Sequence, residues 1–228
     1  MKGGKPVTFE RYYDNEWLER GAYFVHHRRR FVQTWNAVAG LGLGGGLVLD
    51  AGGVGPVAAC LAQSGWEAHG TDVDLRGPLP FPDHCFHLSL CTEVIEHIKD
   101  VDSQDVKDLE AFNYSGVRNM LRELRRTLRP DGLLLVTTPN ASSLHMLGKW
   151  IHGELLLADP HHVREFTPAE LNRVARDCGL RPVWSRTIDS WDQGRSEAVD
   201  RVAGLLQGMP SLPAIDRGDN ILALFAPA

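Results

Sequence analysis

The chain has 228 residues, enough for one sizeable α/β domain and too few for two comfortable ones. Hydrophobic residues make up 43% and charged residues 23%, which leaves little room for long disorder, and the longest apolar run is far short of a membrane span. A net charge of −5 argues against a general nucleic-acid binder, and no apolar signal core follows the basic start Met1–Pro6, so a cytoplasmic enzyme without membrane contact is the expectation.

Residues 8–40 read as helical and are rich in Tyr, Trp and His; preceding the first buried strand, they are expected to form a cap. His26, His27, Arg28, Arg29 and Arg30 make a basic cluster in it; the two histidines either reach the site from the cap or, the favoured reading, lie at the surface. Leu47-Val48-Leu49 is a short apolar run, as in a strand buried on both faces. Gly52-Gly53-Val54-Gly55 breaks it, and Pro56 suits the first position of a helix with Val57, Cys60 and Leu61 on its buried stripe. Gly65 stops that helix, and Trp66–Thr71 reads as a second strand ending at Asp72, completing a β-α-β unit.

A Pro/Gly-rich turn follows at Gly77–Pro82, then a strand over Phe86–Cys91 and a short helix over Thr92–Ile98. Ser115 is placed to cap a longer helix reaching Leu128, whose Arg118, Arg122, Arg125 and Arg126 lie opposite an apolar stripe and read as a solvated face. Pro130-Asp131-Gly132 is a turn before a strand over Leu133–Thr138. Thr167-Pro168-Ala169-Glu170 is a capping box with Pro at the first helical position, and Gly179 ends its helix. Arg181–Ile188 and Ile221–Phe225 read as antiparallel neighbours at one edge. The expected architecture is α/β, a Rossmann-like, doubly wound and mostly parallel sheet with an antiparallel edge, whose ligands lie at the carboxyl ends of the strands. The four cysteines, Cys60, Cys85, Cys91 and Cys178, form no C-x-x-C pair and are expected as reduced, packed thiols rather than a zinc site.

Gly53-Val54-Gly55-Pro56-Val57-Ala58 satisfies G-x-G-x-x-A, which alone fits a dinucleotide site, and an NAD(P)-binding oxidoreductase stays open on the glycines. Asp50 separates the readings. A carboxylate just before the glycines is poorly placed beside a pyrophosphate and well placed near the amino group and sulfonium of S-adenosylmethionine. Asp72 can accept hydrogen bonds from both ribose hydroxyls in either case.

In order along the chain, Leu49–Gly55 resembles motif I of class I methyltransferases. Leu79–Asp83 followed by Cys91–His97, the turn Leu128–Gly132 and the segment His162–Thr167 are similar to later motifs of that family. The resemblance spans about residues 45–185 and points to the subfamily of ubiquinone-type O-methyltransferases and bacterial sugar and secondary-metabolite methyltransferases. It implies a cofactor site of Asp50, Ala51, Gly52, Gly53, Gly55, Asp72, Val73 and Cys91. The stretch between Asp72 and Leu79 is too short for the family's next helix and third strand, so about six strands are expected rather than seven, with the adenine partner lost. His87 stands where the family has Asp after Phe, and residues 99–114 look inserted.

Glu93, Glu96 and His97 recur at i, i+3 and i+4. A structural Glu–His pair, a general base (His97 or His162, with Glu93 beside them) and a divalent-metal site (Glu93, Glu96, His97 and His162) are the three readings. The metal reading draws on a further resemblance, to small-RNA 3′-end 2′-O-methyltransferases, in which Thr138-Pro139-Asn140 and His162 fall in matching places; a metal-assisted RNA enzyme is thus one alternative. Tyr12 and Tyr13 either close over the cofactor or form an ordinary helix face. Residues 141–160, with Leu144, Met146, Leu147, Trp150 and Leu155–Leu157, are expected as a lid, a hydrophobic acceptor wall or a homodimer contact. The favoured function is O-methylation of a small-molecule acceptor, with N-methylation open.

Overall fold

The computed structural model describes residues 8–101, 113–191, 197–208 and 217–228. Its centre is a six-stranded sheet: β1 (Leu47–Asp50), β2 (Glu67–Gly70), β3 (Phe86–Thr92), β4 (Leu128–Pro139), β5 (Leu180–Ile188) and β6 (Asn220–Pro227). The order is β2-β1-β3-β4-β6-β5. The first four strands are mutually parallel, and β6 runs antiparallel to both β4 and β5. An antiparallel strand among parallel ones brings its amino end to the edge where the others have their carboxyl ends, so Asn220 pairs with Pro139.

The inner strands β1, β3, β4 and β6 are mostly apolar because both faces are covered, while the edge strands β2 and β5 are more polar and exposed. Val48, Leu88, Leu90, Leu135, Leu222 and Leu224 point to one side. There they meet α1 (Phe9–Glu16), α3 (Arg28–Ala39) and α4 (Pro56–Gln63), with α2 (Ala22–His26) and the 3-10 turn Leu18–Arg20 at the rim. Leu49, Leu134, Val136, Ile221, Ala223 and Phe225 point to the other side, against α5 (Ser115–Thr127) and α7 (Pro168–Asp177). Two further helices, α6 (Leu144–Ile151) and α8 (Glu197–Gln207), lie beside each other.

The N-terminal segment is helical as expected, but Tyr12 and Tyr13 are core residues. Phe9 stacks on Trp35 with ring centres 4.9 Å apart, and Tyr13, fully buried, donates its hydroxyl to the Phe24 carbonyl at 2.7 Å. No helix or strand forms between β2 and β3, so the family's third strand is absent. His87, in β3, accepts the Leu47 amide at 3.1 Å and pins the start of β1.

Three local expectations are corrected. Thr92–Ile98 is not a helix. The Glu93 amide donates to the Thr137 carbonyl at 2.9 Å, Glu93 takes a left-handed φ of 56°, and only a 3-10 turn, Ile95–His97, remains. Ser115 does not cap α5. Tyr114 does so, in the left-handed region, while the Ser115 hydroxyl accepts from the Val101 amide. Pro130-Asp131-Gly132 lies within β4, as an irregularity opposite Phe86–Leu88. The capping box at Thr167 and Glu170 forms as read, and all four cysteines are free thiols. Among the described residues, no helix is long and apolar enough to cross a membrane.

Candidate active site

The carboxyl edge of the parallel strands holds two adjacent arrangements. The first is the turn after β1. Asp50 is 4% exposed, and its Oδ2 accepts the Gly55 amide at 2.8 Å. Burial pushes its carboxyl up to about 7, the Gly55 hydrogen bond acting in the opposite direction. A buried carboxylate with a single amide partner is suited to a cationic ligand that would restore its charge. Gly52 and Gly53 have φ of +92° and +116°, which an L side chain would resist. Gly70, paired with Asp50 across the strands, packs on this turn: a Cβ there would lie 2.9 Å from the Val54 amide nitrogen. Asp72 and Val73 emerge just past Gly70 and are exposed. The turn, the close strand approach and the carboxylates together fit S-adenosylmethionine.

The second arrangement is a cavity of about 420 Å³. Its floor is Glu93, held by three residues from three elements, β4, β6 and α3. Thr137 Oγ1 donates to Oε1 at 2.7 Å, Asn220 Nδ2 lies 3.1 Å from both oxygens, the Glu93 amide is bound to β4, and Arg30 Nη1 is 3.0 Å from Oε2. Arg30 is only 4% exposed. Burial alone would depress its pKa, but the Glu93 carboxylate and the Tyr23 hydroxyl, at 2.7 Å, more than offset this.

Above this pair sit Glu96, His97 and His162, each offering one ligand atom within 4.8 Å of the others. Glu96 is fully buried. Its Oε2 accepts the Thr138 hydroxyl at 2.9 Å, while Oε1 has no partner. Burial, then the Glu93 charge, raises its carboxyl well above the usual range. The rings of His97 and His162 are 4.7 Å apart and nearly perpendicular. His97 Nδ1 faces the His161 carbonyl at 3.3 Å, and His162 Nδ1 faces Glu165 Oε1 at 2.8 Å. The strip carrying His162 is anchored by the amides of Val163 and Arg164, both donating to the Glu96 carbonyl, and by the Ala141 amide on the Phe166 carbonyl.

The cap closes the cavity with Tyr23, His26 and His27. His27 Nδ1 lies 3.2 Å from the Trp191 indole nitrogen and 3.4 Å from Arg30 Nη1. Both neighbours are donors only, so Nδ1 is the acceptor and the ring proton sits on Nε2. Burial, then the Arg30 charge, lowers its pKa to about 4, so His27 is a neutral donor at physiological pH.

A family model described as a methyltransferase domain matches residues 24–185. The chain belongs to this methyltransferase family. It is 28% identical over 129 residues to an uncharacterized methyltransferase, YcgJ, of Bacillus subtilis, a match spanning 54% of this chain and 45% of that protein. The fold is also that of an S-adenosylmethionine-dependent methyltransferase from Archaeoglobus fulgidus, with TM-score 0.56 at 18% identity over 91% of this chain and all of the other. A magnesium protoporphyrin IX methyltransferase from Synechocystis, solved with bound S-adenosylhomocysteine, has TM-score 0.54 at 16% identity, covering 99% of this chain and 90% of that one.

Within the methyltransferase, Asp50, Ala51, Gly52, Gly53 and Gly55 lie at the end of β1 and in the turn after it, and Asp72 and Val73 follow the end of the neighbouring strand β2. Cys91, fully buried, lies in β3, the strand that pairs with β1. Glu93 falls outside the ligand triplet because Arg30, Asn220 and Thr137 occupy its oxygens. Of the 141–160 segment, it is His145, Ala158 and Asp159 that line the cavity; Met146, Leu147, Trp150 and Leu156 line a separate depression of about 320 Å³ with Arg217. Arg30, Asn220, Glu165 and Trp191 were not legible as site residues. Arg30 had a signal: it shares the buried stripe of α3 with Thr34, Ala37 and Val38, and a charge on such a stripe needs a buried partner.

Proposed function

We propose that this methyltransferase moves the methyl group of S-adenosylmethionine to an oxygen of a small-molecule acceptor seated in the cavity over Glu93 and Glu96. The observation that carries the reading is the buried Glu96 carboxylate, one oxygen of which, Oε1, has no partner, clustered with two imidazoles whose Nδ1 atoms are already engaged. S-adenosylmethionine, when bound, supplies a methyl group activated by a sulfonium. The chain supplies position, and positioning accounts for much of the rate in such a displacement. Asp50 and the amides of the glycine turn hold the methionine end, and Asp72 accepts the ribose hydroxyls. His97 and His162 have Nε2 free for the acceptor hydroxyl, and one of them, without an ion bound, takes its proton. With Glu96, the same two Nε2 atoms fit a divalent ion instead, and with it bound the hydroxyl would be activated by the ion's lowering of its pKa rather than by a free imidazole. Glu93 and Arg30 keep the floor rigid, and His27 Nε2 donates to a second polar group on the acceptor.

A methyl-transfer assay with labelled S-adenosylmethionine tests this, using catechols, sugar alcohols and matched amines. Label in a hydroxylated acceptor, with loss of at least about tenfold in kcat for His162→Ala, is the expected result. Label confined to the amines contradicts it.

A further inference from the structure

His162 and Glu165 form a buried pair with side chains 9% and 4% exposed. Glu165 Oε1 accepts from His162 Nδ1 at 2.8 Å and from the Ala158 amide at 2.6 Å, so it cannot turn away without losing a backbone contact. The His161 carbonyl plays the same part toward His97 Nδ1 at 3.3 Å. A carbonyl or carboxylate on Nδ1 fixes the proton there and leaves the Nε2 lone pair free. Two imidazoles are thus set in the metal-binding tautomer beside a carboxylate oxygen that has no partner.

We propose that Glu165 is a positioning residue that presets Glu96, His97 and His162 as a site for a divalent transition metal. The proposal rests on the reading of the site given above and deepens it by naming the ion class. Two imidazole nitrogens and one carboxylate oxygen suit zinc, cobalt or manganese; magnesium and calcium call for an oxygen shell that this triplet does not provide. Three protein ligands leave coordination positions open toward the cavity, where acceptor oxygens would sit. Carboxylates behind a metal-binding histidine orient the ring and raise its basicity, and their loss weakens metal binding about 10–100-fold.

The test uses the full chain, stripped with chelator and titrated with Co²⁺ alone, followed by visible absorption. S-adenosylhomocysteine binding is measured in parallel by calorimetry. The wild type is expected to take up one Co²⁺ with imidazole-type absorption. Glu165→Gln should bind it about 10–100-fold more weakly with unchanged affinity for S-adenosylhomocysteine. No Co²⁺ uptake by the wild type, or equal affinity in Glu165→Gln, overturns the proposal. Should the variant also lose S-adenosylhomocysteine, the imidazole ¹⁵N spectrum of the metal-free wild type decides. An Nδ1–H tautomer at His162 supports the presetting role, and an Nε2–H tautomer overturns it. Failure of the cofactor reading is distinct: it would show as Co²⁺ uptake without S-adenosylhomocysteine binding.

Discussion

Two buried charges at the carboxyl edge have opposite fates. Asp50 has one amide partner and a carboxyl pushed up to about 7 by burial. Because the folded value lies above the unfolded one, near 3.8, the folded chain holds the extra proton between these pH values. Stability from this group is therefore full at low pH and is lost as pH rises through about 7. Asp50→Asn should stabilise the ligand-free protein at pH 8 by roughly 2–4 kcal/mol and leave it nearly unchanged at pH 4. The same change should weaken S-adenosylhomocysteine binding at least about tenfold. Denaturant unfolding at the two pH values, with calorimetry, checks both effects. Arg30 and Glu93, by contrast, neutralise each other. Arg30→Met strands Glu93 and should cost about 3–5 kcal/mol. The double variant Arg30→Met, Glu93→Gln should cost less than the sum of the two single changes, which a thermodynamic cycle from unfolding curves would show.

At the scale of elements, the site depends on how closely strand ends and turns approach. Gly70 at the end of β2 leaves no room for a methyl group against Val54 and Gly53. Gly70→Ala should push the glycine turn away and weaken S-adenosylhomocysteine binding about tenfold or more, read by calorimetry, while the rest of the sheet stays intact. Helix α7 acts indirectly. Its capping box at Thr167 and Glu170 fixes the chain just after Phe166, which anchors the His162 strip through the Ala141 amide. Thr167→Ala should cost about 1 kcal/mol in unfolding experiments. Local patterns made such features readable: the capping box, the glycine turn and the apolar strands carry their signals within a few residues. Thr92–Ile98 failed as a helix because a hydrogen bond to β4, 44 residues away, draws Glu93 out of helical geometry.

For the molecule as a whole, the sheet order brings distant segments to one edge. Asn220 reaches Glu93 only because β6 runs against its neighbours, and Arg30 arrives from a helix 63 residues before Glu93. The Asn220 contact leaves no periodic trace in the sequence, and the place of Arg30 on the buried stripe of α3 signals a buried partner without saying which, so this part of the floor is not legible there while Glu93, Glu96 and His97 are. The separation of Glu93 from the triplet Glu96, His97 and His162 follows from the same assembly. The most direct test of the central claim is calorimetric titration of the purified chain with S-adenosylhomocysteine and, separately, with NAD. S-adenosylhomocysteine should fill a single saturable site, weakened by Asp50→Asn, and NAD should not bind. Saturable binding of NAD with none of S-adenosylhomocysteine would contradict it.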